Sequence, residues 1–331
     1  MKLRGIEFGY VLGASGVQGF FGEGYWYHQF VRPFGMNFDG MTFVSKTTTV
    51  TRRTGNMPLK SDGITGKELF PKCVVVKPFR RVALNSVGLS GPGSKALLDT
   101  GKWQERQKPF LISFMSVENK PEIRIHEFQA FCGQLAKMLP LFSAKFGLQI
   151  NVSCPNVGLD ASHLTNEVTE YIRLANLLLA VPIMIKINAL MLVAVAKQIS
   201  RIEGCDALCV SNTLPWGTLP EQINWKRLFG SDVSPLAHLG GGGLSGAPLL
   251  PIVEKWVRKA RMSGIEIPIN AGGGILSPAD AETLIRAGAD SVFIGSMAFL
   301  RPWRVAKTIK HINKLKQERV QSGYIHHHPT T

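Results

Sequence analysis

The chain of 331 residues is 45 % hydrophobic and 18 % charged, and its 38 Lys and Arg against 23 Asp and Glu give a formal charge of +15. That composition supports a large core and excludes disorder, collagen-like repeats and small disulfide scaffolds. The basic excess favours anionic partners as a class (small anions, nucleic acid, acidic proteins, anionic lipid) without selecting one.

Taken in chain order, residues 1–19 are Gly-rich and lack the basic-then-apolar order of a signal peptide. Short runs rich in Val, Ile and Phe follow at 41–44, 82–84, 110–114, 148–152, 183–187, 207–210, 267–269 and 291–294. Amphipathic stretches of helical length separate most of them, at 126–139, 166–180 and 278–287. Eight strands alternating with helices predict a closed (β/α)₈ TIM barrel, with a doubly wound sheet as the alternative. The apolar stretch 174–196 is broken by Pro182, Lys186 and Asn188 and reads as helix, turn, buried strand and helix; nothing here spans a bilayer. We expect one barrel domain over 1–325, a polar excursion over its mouth at about 52–80, a basic helix at 301–320 and a disordered tail at 326–331. Cys73, Cys132, Cys154, Cys205 and Cys209 form no CxxC pair, so neither a disulfide framework nor a metal site is expected, and a reducing cytoplasm fits.

Barrel enzymes place their chemistry just past each strand. Those positions hold Lys46, Asn85, Asn151, Cys154, Asn156, Lys186, Asn212 and Thr213, and Gly-rich turns at Gly273-Gly274 and Gly295-Ser296 follow the last two strands. Glycine lets a backbone N–H approach closely, so this pair of turns suits a phosphate. The GxGxxG at Gly241 to Gly246 follows no strand-like run and reads as a flexible mouth loop, not a dinucleotide fingerprint.

Asn151-Val152-Ser153-Cys154-Pro155-Asn156 is the most informative stretch. Carboxamides offer a donor and an acceptor together, which matches a planar ring with alternating C=O and N–H, such as a pyrimidine. Asn85 and Asn212 add two more, and a thiol between them can act as a base. Lys46 and Lys186 can hold a carboxylate, a phosphate or a ring that becomes anionic on reduction. Cys205 and Cys209 read as inert core.

At these residues the chain resembles the dihydroorotate dehydrogenases, FMN-dependent (β/α)₈ enzymes. The likeness lies in Ala14-Ser15-Gly16, Ser45 to Thr49, Asn85 to Leu89, Asn151 to Asn156, Lys186, Ser211-Asn212-Thr213, Gly242 to Gly246 and the two C-terminal glycine turns. The resemblance implies oxidation of dihydroorotate to orotate, with Cys154 as general base and hydride passing to flavin N5. It implies that Asn85, Asn151, Asn156, Asn212 and Thr213 hold the substrate ring, and that Lys46 with Val87, Gly88 and Leu89 holds its carboxylate. FMN would lie along Ala14, Ser15, Gly16, Lys46, Asn151 and Lys186, with its tail among Gly246, Gly273, Gly274, Gly295 and Ser296. A cysteine base is typical of the soluble class, which is homodimeric and uses fumarate, or passes electrons to NAD through an FAD and iron–sulfur subunit. Val87 departs from the family's usual methionine, and an extra residue stands at Asn56-Met57-Pro58.

Two rival readings remain beside it. One is a flavoprotein acting on dihydrouridine in RNA or on another cyclic amide, although the helical RNA-binding domain of such proteins has no counterpart here. The other is a non-catalytic barrel for phosphate or nucleic acid, which would need neither Cys154 nor the asparagines. Neither nucleic acid nor a membrane is the expected partner.

Overall fold

The computed structural model describes residues 1–152 and 161–321. Seven parallel strands form one curled sheet: Val11–Gly13, Phe110–Phe114, Phe146–Asn151, Ile183–Ile187, Ala207–Val210, Ile269–Ala271 and Ser291–Ile294. Its two edges are the first and second of these, and residues 42–44 lie between them. Gly13 N donates to Thr42 O and Ser45 N to Leu111 O, both at 2.9 Å, with parallel bridges Leu12–Thr42 and Val44–Leu111. The eighth stave therefore closes the barrel, and in chain order 42–44 is its second strand.

The expected eight differ from these in one member. Residues 82–84 are not a barrel strand, and Val11–Gly13 takes the vacant place. Val82–Asn85 instead joins Val74–Lys77, Gly243–Gly246 and Leu214–Pro215 in a separate four-stranded antiparallel sheet. The physical reason is its local pairing: Val75, a neighbour in sequence, pairs with Leu84 across a tight turn, which a barrel strand with a helical crossover cannot do. The stretch read as a flexible Gly loop is likewise ordered, because Gly243–Gly246 pairs residue by residue with Val82–Asn85. Val82, Leu84, Leu214 and Leu244 bury one side of this sheet against Trp225, Phe229 and Leu236.

Alternation along the barrel strands sorts their side chains into two cores. Leu12, Val44, Leu111, Met184, Cys209 and Phe293 face the interior, while Ile112, Leu148, Ile185, Leu208 and Ile294 pack outward in the large core that holds the helices' apolar residues. Met1, Leu3 and Phe8, from a hairpin pairing Lys2–Leu3 with Ile6–Glu7, fill the barrel's N-terminal end. Fully burying the Phe8 ring there contributes about 2–3 kcal/mol. The helix Pro121–Met138 begins five residues before its expected start, on a Pro at its first turn; Ala161–Leu178, Pro278–Arg286 and Val305–Gln321 fall near the expected positions. The stretch 174–196 is helix, strand and helix as expected. No helix among the described residues is long and apolar enough to cross a membrane. The expected tail at 326–331 lies outside the described residues.

Candidate active site at the barrel mouth

Lys186 lies near the C-terminal end of the fifth barrel strand, between Ile185 and Ile187, and only 6 % of it is exposed. Its ammonium donates to Ser15 Oγ at 3.2 Å and lies 6.0 Å from the centre of the Phe293 ring. Burial lowers its pKa, an effect that the neighbouring Cys209 partly opposes. Such a cation is costly to the fold, and an anion placed beside it recovers much of that cost.

Lys46 sits just past the second strand. Its Nζ donates to Ser90 O at 2.8 Å and lies 4.9 Å over the Phe20 ring. Ser90 Oγ in turn bonds Val87 O at 3.1 Å, so the lysine and the loop Val87-Gly88-Leu89 meet at one residue. Burial pulls the Lys46 ammonium down to about 8 from its ordinary 10.5, against a smaller upward pull from Glu23 and Cys73. Below about pH 8 the lysine is charged in folded and unfolded chains alike, and its desolvation weighs against the fold. Between about 8 and 10.5 only the unfolded chain keeps the proton, so this residue's contribution to stability improves as pH rises. Relative to Lys46→Met, the parent is therefore expected to gain on the order of 3 kcal/mol across that range. Paired unfolding titrations at several pH values measure it; a constant difference between the two proteins would contradict the buried cation.

The amides converge from four elements. Asn212 Nδ2 donates to Asn151 Oδ1 at 3.4 Å, and Asn212 Oδ1 accepts from Thr213 N at 2.9 Å. Asn188 holds the same turn through Thr213 O at 2.8 Å. Asn85, at the end of its strand in the second sheet, donates to Gly243 O at 3.4 Å, and a Cβ on Gly243 would collide with the Thr213 hydroxyl. Asn85 and Thr213 thus flank one glycine. Asn85 reaches the mouth from the overlying sheet and not from a barrel strand.

The glycine turns close the ring of contacts. Ala14 N bonds Ile294 O at 2.8 Å, and a Cβ on Gly295 would touch Ala14 at 3.0 Å, so the first and last barrel strands present Ala14-Ser15-Gly16 beside Gly295-Ser296. Gly274 has φ +78°, and a Cβ there would strike the backbone N of Leu250 and lie 3.0 Å from Gly246 O. Gly246, with φ +112°, leaves no room for a Cβ against the Arg81 carbonyl. Only glycine permits both the angles and the approach, which brings these turns together at the start of the helix Leu249–Met262.

Among the described regions these contacts join Lys186 to Ser15 and Ala14 to Gly295, Lys46 to the Val87 loop, Asn151, Asn212 and Thr213 to Asn85 around Gly243, and Gly274 to Gly246. Cys154 and Asn156 lie outside the described residues. The other four cysteines are buried and free, and burial pushes Cys132, Cys205 and Cys209 up to about 12, which suits an inert role. No group of His, Cys, Asp or Glu among the described residues could hold a metal ion.

Sequence reading named Ser15 and Thr47 but missed the rest of a belt of polar side chains that they join. Thr47 Oγ1 donates to Ser15 Oγ at 3.1 Å and lies 2.9 Å from Ser113 Oγ, which bonds Gln149 Oε1 at 3.2 Å. Gln149 Nε2 contacts Cys209 Sγ at 3.7 Å, Cys209 reaches Asn270 Oδ1, and Asn270 Nδ2 donates to Ser291 Oγ at 2.8 Å. The signal was available: a single polar residue at an inward position of an otherwise apolar strand, such as Ser113 in Phe110–Phe114.

The dihydroorotate dehydrogenase family model matches residues 19–315. The dihydroorotate dehydrogenase A (fumarate) of Lacticaseibacillus paracasei is 28 % identical over 92 % of this chain and 93 % of its own length. The catalytic subunit of dihydroorotate dehydrogenase B (NAD(+)) from Listeria monocytogenes is 29 % identical over 77 % of this chain and 81 % of its own. Among solved structures, the DHODH of Eimeria tenella in complex with ferulenol superposes with a TM-score of 0.67 at 19 % identity. That likeness covers 99 % of this chain and 88 % of the other, and it shows the shared barrel fold.

Proposed function

Because the chain belongs to the dihydroorotate dehydrogenase family, whose model spans residues 19–315, we propose that it oxidises dihydroorotate to orotate, a step of pyrimidine synthesis, with FMN as cofactor. The observation that carries this reading is the buried Lys186 ammonium beside Ser15, at the same barrel mouth as the Asn151–Asn212 pair. The donor set fits the flavin. A desolvated cation suits the edge of a ring that becomes anionic, and glycine turns let a backbone N–H approach a phosphate closely. In this reading Ala14, Ser15, Gly16, Lys46 and Asn151 would line the flavin, Lys186 would face its pyrimidine edge, and Gly246, Gly273, Gly274, Gly295 and Ser296 would hold its tail.

FMN, when bound, supplies the hydride acceptor at N5. Asn85, Asn151, Asn156, Asn212 and Thr213 hold the substrate's ring amides through paired donors and acceptors. Lys46 and the backbone of Val87, Gly88 and Leu89 hold its carboxylate. Cys154 Sγ removes the proton from ring carbon 5. The protein works in the cytoplasm as a homodimer and hands its electrons to fumarate, or to NAD through an FAD and iron–sulfur subunit; steady-state assays with each acceptor distinguish the two.

Purified protein is expected to be yellow and to bleach when dihydroorotate is added without oxygen. A colourless protein that takes up no FMN on reconstitution would overturn the assignment. Lys186→Ala is expected to keep FMN and slow its reduction roughly 10²-fold. Reduction at the parent's rate would remove Lys186 from the chemistry.

A further inference from the structure

Three segments near the barrel mouth expose large apolar side chains that the proposed chemistry does not use. They are 26–34 and 297–304, which follow the first and last barrel strands, and 67–81 of the excursion. Phe79 is 99 % exposed and Phe70 81 %, and Trp26, Phe30, Phe34 and Trp303 are exposed beside them. Three of the rings meet at Trp26, and backbone contacts bring the segments of the others close. Trp26 stacks edge-on against Phe70 at 5.6 Å and Phe30 at 5.9 Å, and its indole N–H donates to Leu69 O at 3.0 Å. A Cβ on Gly35, next to Phe34, would lie 3.7 Å from Trp303 O. Arg301 packs 5.6 Å from the Trp303 ring and donates to Pro78 O at 3.4 Å, beside Phe79.

The charge around these rings is predominantly positive. Residues 26–34, 67–81 and 301–304 contain eight Lys and Arg against one carboxylate, Glu68. A cavity of about 540 Å³ next to Phe79 is lined by Arg80, Arg81 and Arg227, with no acidic residue in its wall.

We propose that this face docks on an anionic phospholipid surface, with Phe34, Phe70, Phe79 and Trp303 entering the interfacial layer and the guanidinium-lined cavity receiving a lipid phosphate. Each part has its physical reason. An exposed ring gains by leaving water for the interface, where an indole also keeps its polar edge wet. Each Lys or Arg near an anionic leaflet adds attraction that salt screens. A second copy of the chain fits poorly, because its own eight cations would oppose these. The attachment is peripheral and requires no spanning helix, and it departs from the expectation that a membrane is no partner.

Flotation of the full-length protein with vesicles tests this. Vesicles of phosphatidylcholine mixed with phosphatidylglycerol are expected to carry the protein at low salt and to release most of it at high salt; phosphatidylcholine alone should carry little. Brominated acyl chains are expected to quench tryptophan emission in the parent and to quench it less in Trp303→Phe. Phe70→Ser with Phe79→Ser should weaken binding at least roughly tenfold, with flavin content and turnover unchanged because neither ring touches the site. Protein that stays unbound with anionic vesicles at low salt overturns the proposal. Binding that the paired Phe variant leaves intact overturns the ring insertion and leaves non-specific charge attraction. A dimer in light scattering that this variant dissociates shows the face to be a contact between copies instead.

Discussion

Cys154→Ala is expected to slow the reduction of bound flavin by dihydroorotate about 10²–10⁴-fold, while orotate still binds within a few-fold of the parent. The loss corresponds to about 3–5 kcal/mol of barrier at ~1.36 kcal/mol per decade. Binding and chemistry separate because different groups serve them. In the proposed function the ring would be held by amides that the substitution does not touch, among them Asn151 and Asn212, which meet at 3.4 Å. The proton from carbon 5 would, in the same proposal, pass to the Cys154 thiolate. Cys154→Ser should regain part of the rate in alkali, since a hydroxyl is the weaker base at neutral pH. Stopped-flow reduction across pH measures both. An alanine variant reduced as fast as the parent would return Cys154 to the inert class of Cys205 and Cys209.

Glu167→Ala is expected to destabilise the fold by about 3–5 kcal/mol, the usual cost of leaving one partner of a buried ion pair unmatched. Arg124 and Glu167 are 6 % and 8 % exposed, and the guanidinium grips the carboxylate with two hydrogen bonds, at 2.7 and 2.5 Å. Tyr171 donates to the same carboxylate at 2.5 Å, and burial beside that anion raises its pKa, so the hydroxyl stays protonated. Arg124 also donates to the carbonyls of Glu118 and Asn119, in the loop past the third barrel strand. The pair thus ties the helix Ala161–Leu178, which follows the Cys154 segment, to a neighbouring mouth loop. Denaturant unfolding gives the magnitude. Stability within about 0.5 kcal/mol of the parent, the range of an ordinary surface change, would mean that the pair is not desolvated as described.

The site was more legible in the sequence than the frame that holds it. Asn151, Lys186, Asn212 and the turns at Gly273 and Gly295 stood out because polar or glycine residues directly after an apolar run have few structural reasons to be there. Barrel strands such as Phe110–Phe114 and Ile183–Ile187 were equally plain, since a strand buried on both faces reads as a continuous apolar run. The Arg124–Glu167 pair left no signal, because its partners stand 43 residues apart on two different helices.

Fold class, the candidate residues at the strand ends and the family resemblance were thus read from local pattern, which side-chain period and residue type express directly. Tertiary structure decided which run completes the barrel. Val11–Gly13 is three residues long and bordered by glycine, so its own propensity is slight, and its pairing with Ser291–Ile294 and with Thr42 makes it a strand. Val82–Asn85 has the stronger local pattern, yet it lies in the overlying sheet because the turn after Val74–Lys77 pairs it there. Sequence pattern records how much apolar surface a segment must bury; which neighbour buries it depends on contacts 30 to 280 residues away, as when Val11 meets Val292 and Leu12 meets Thr42.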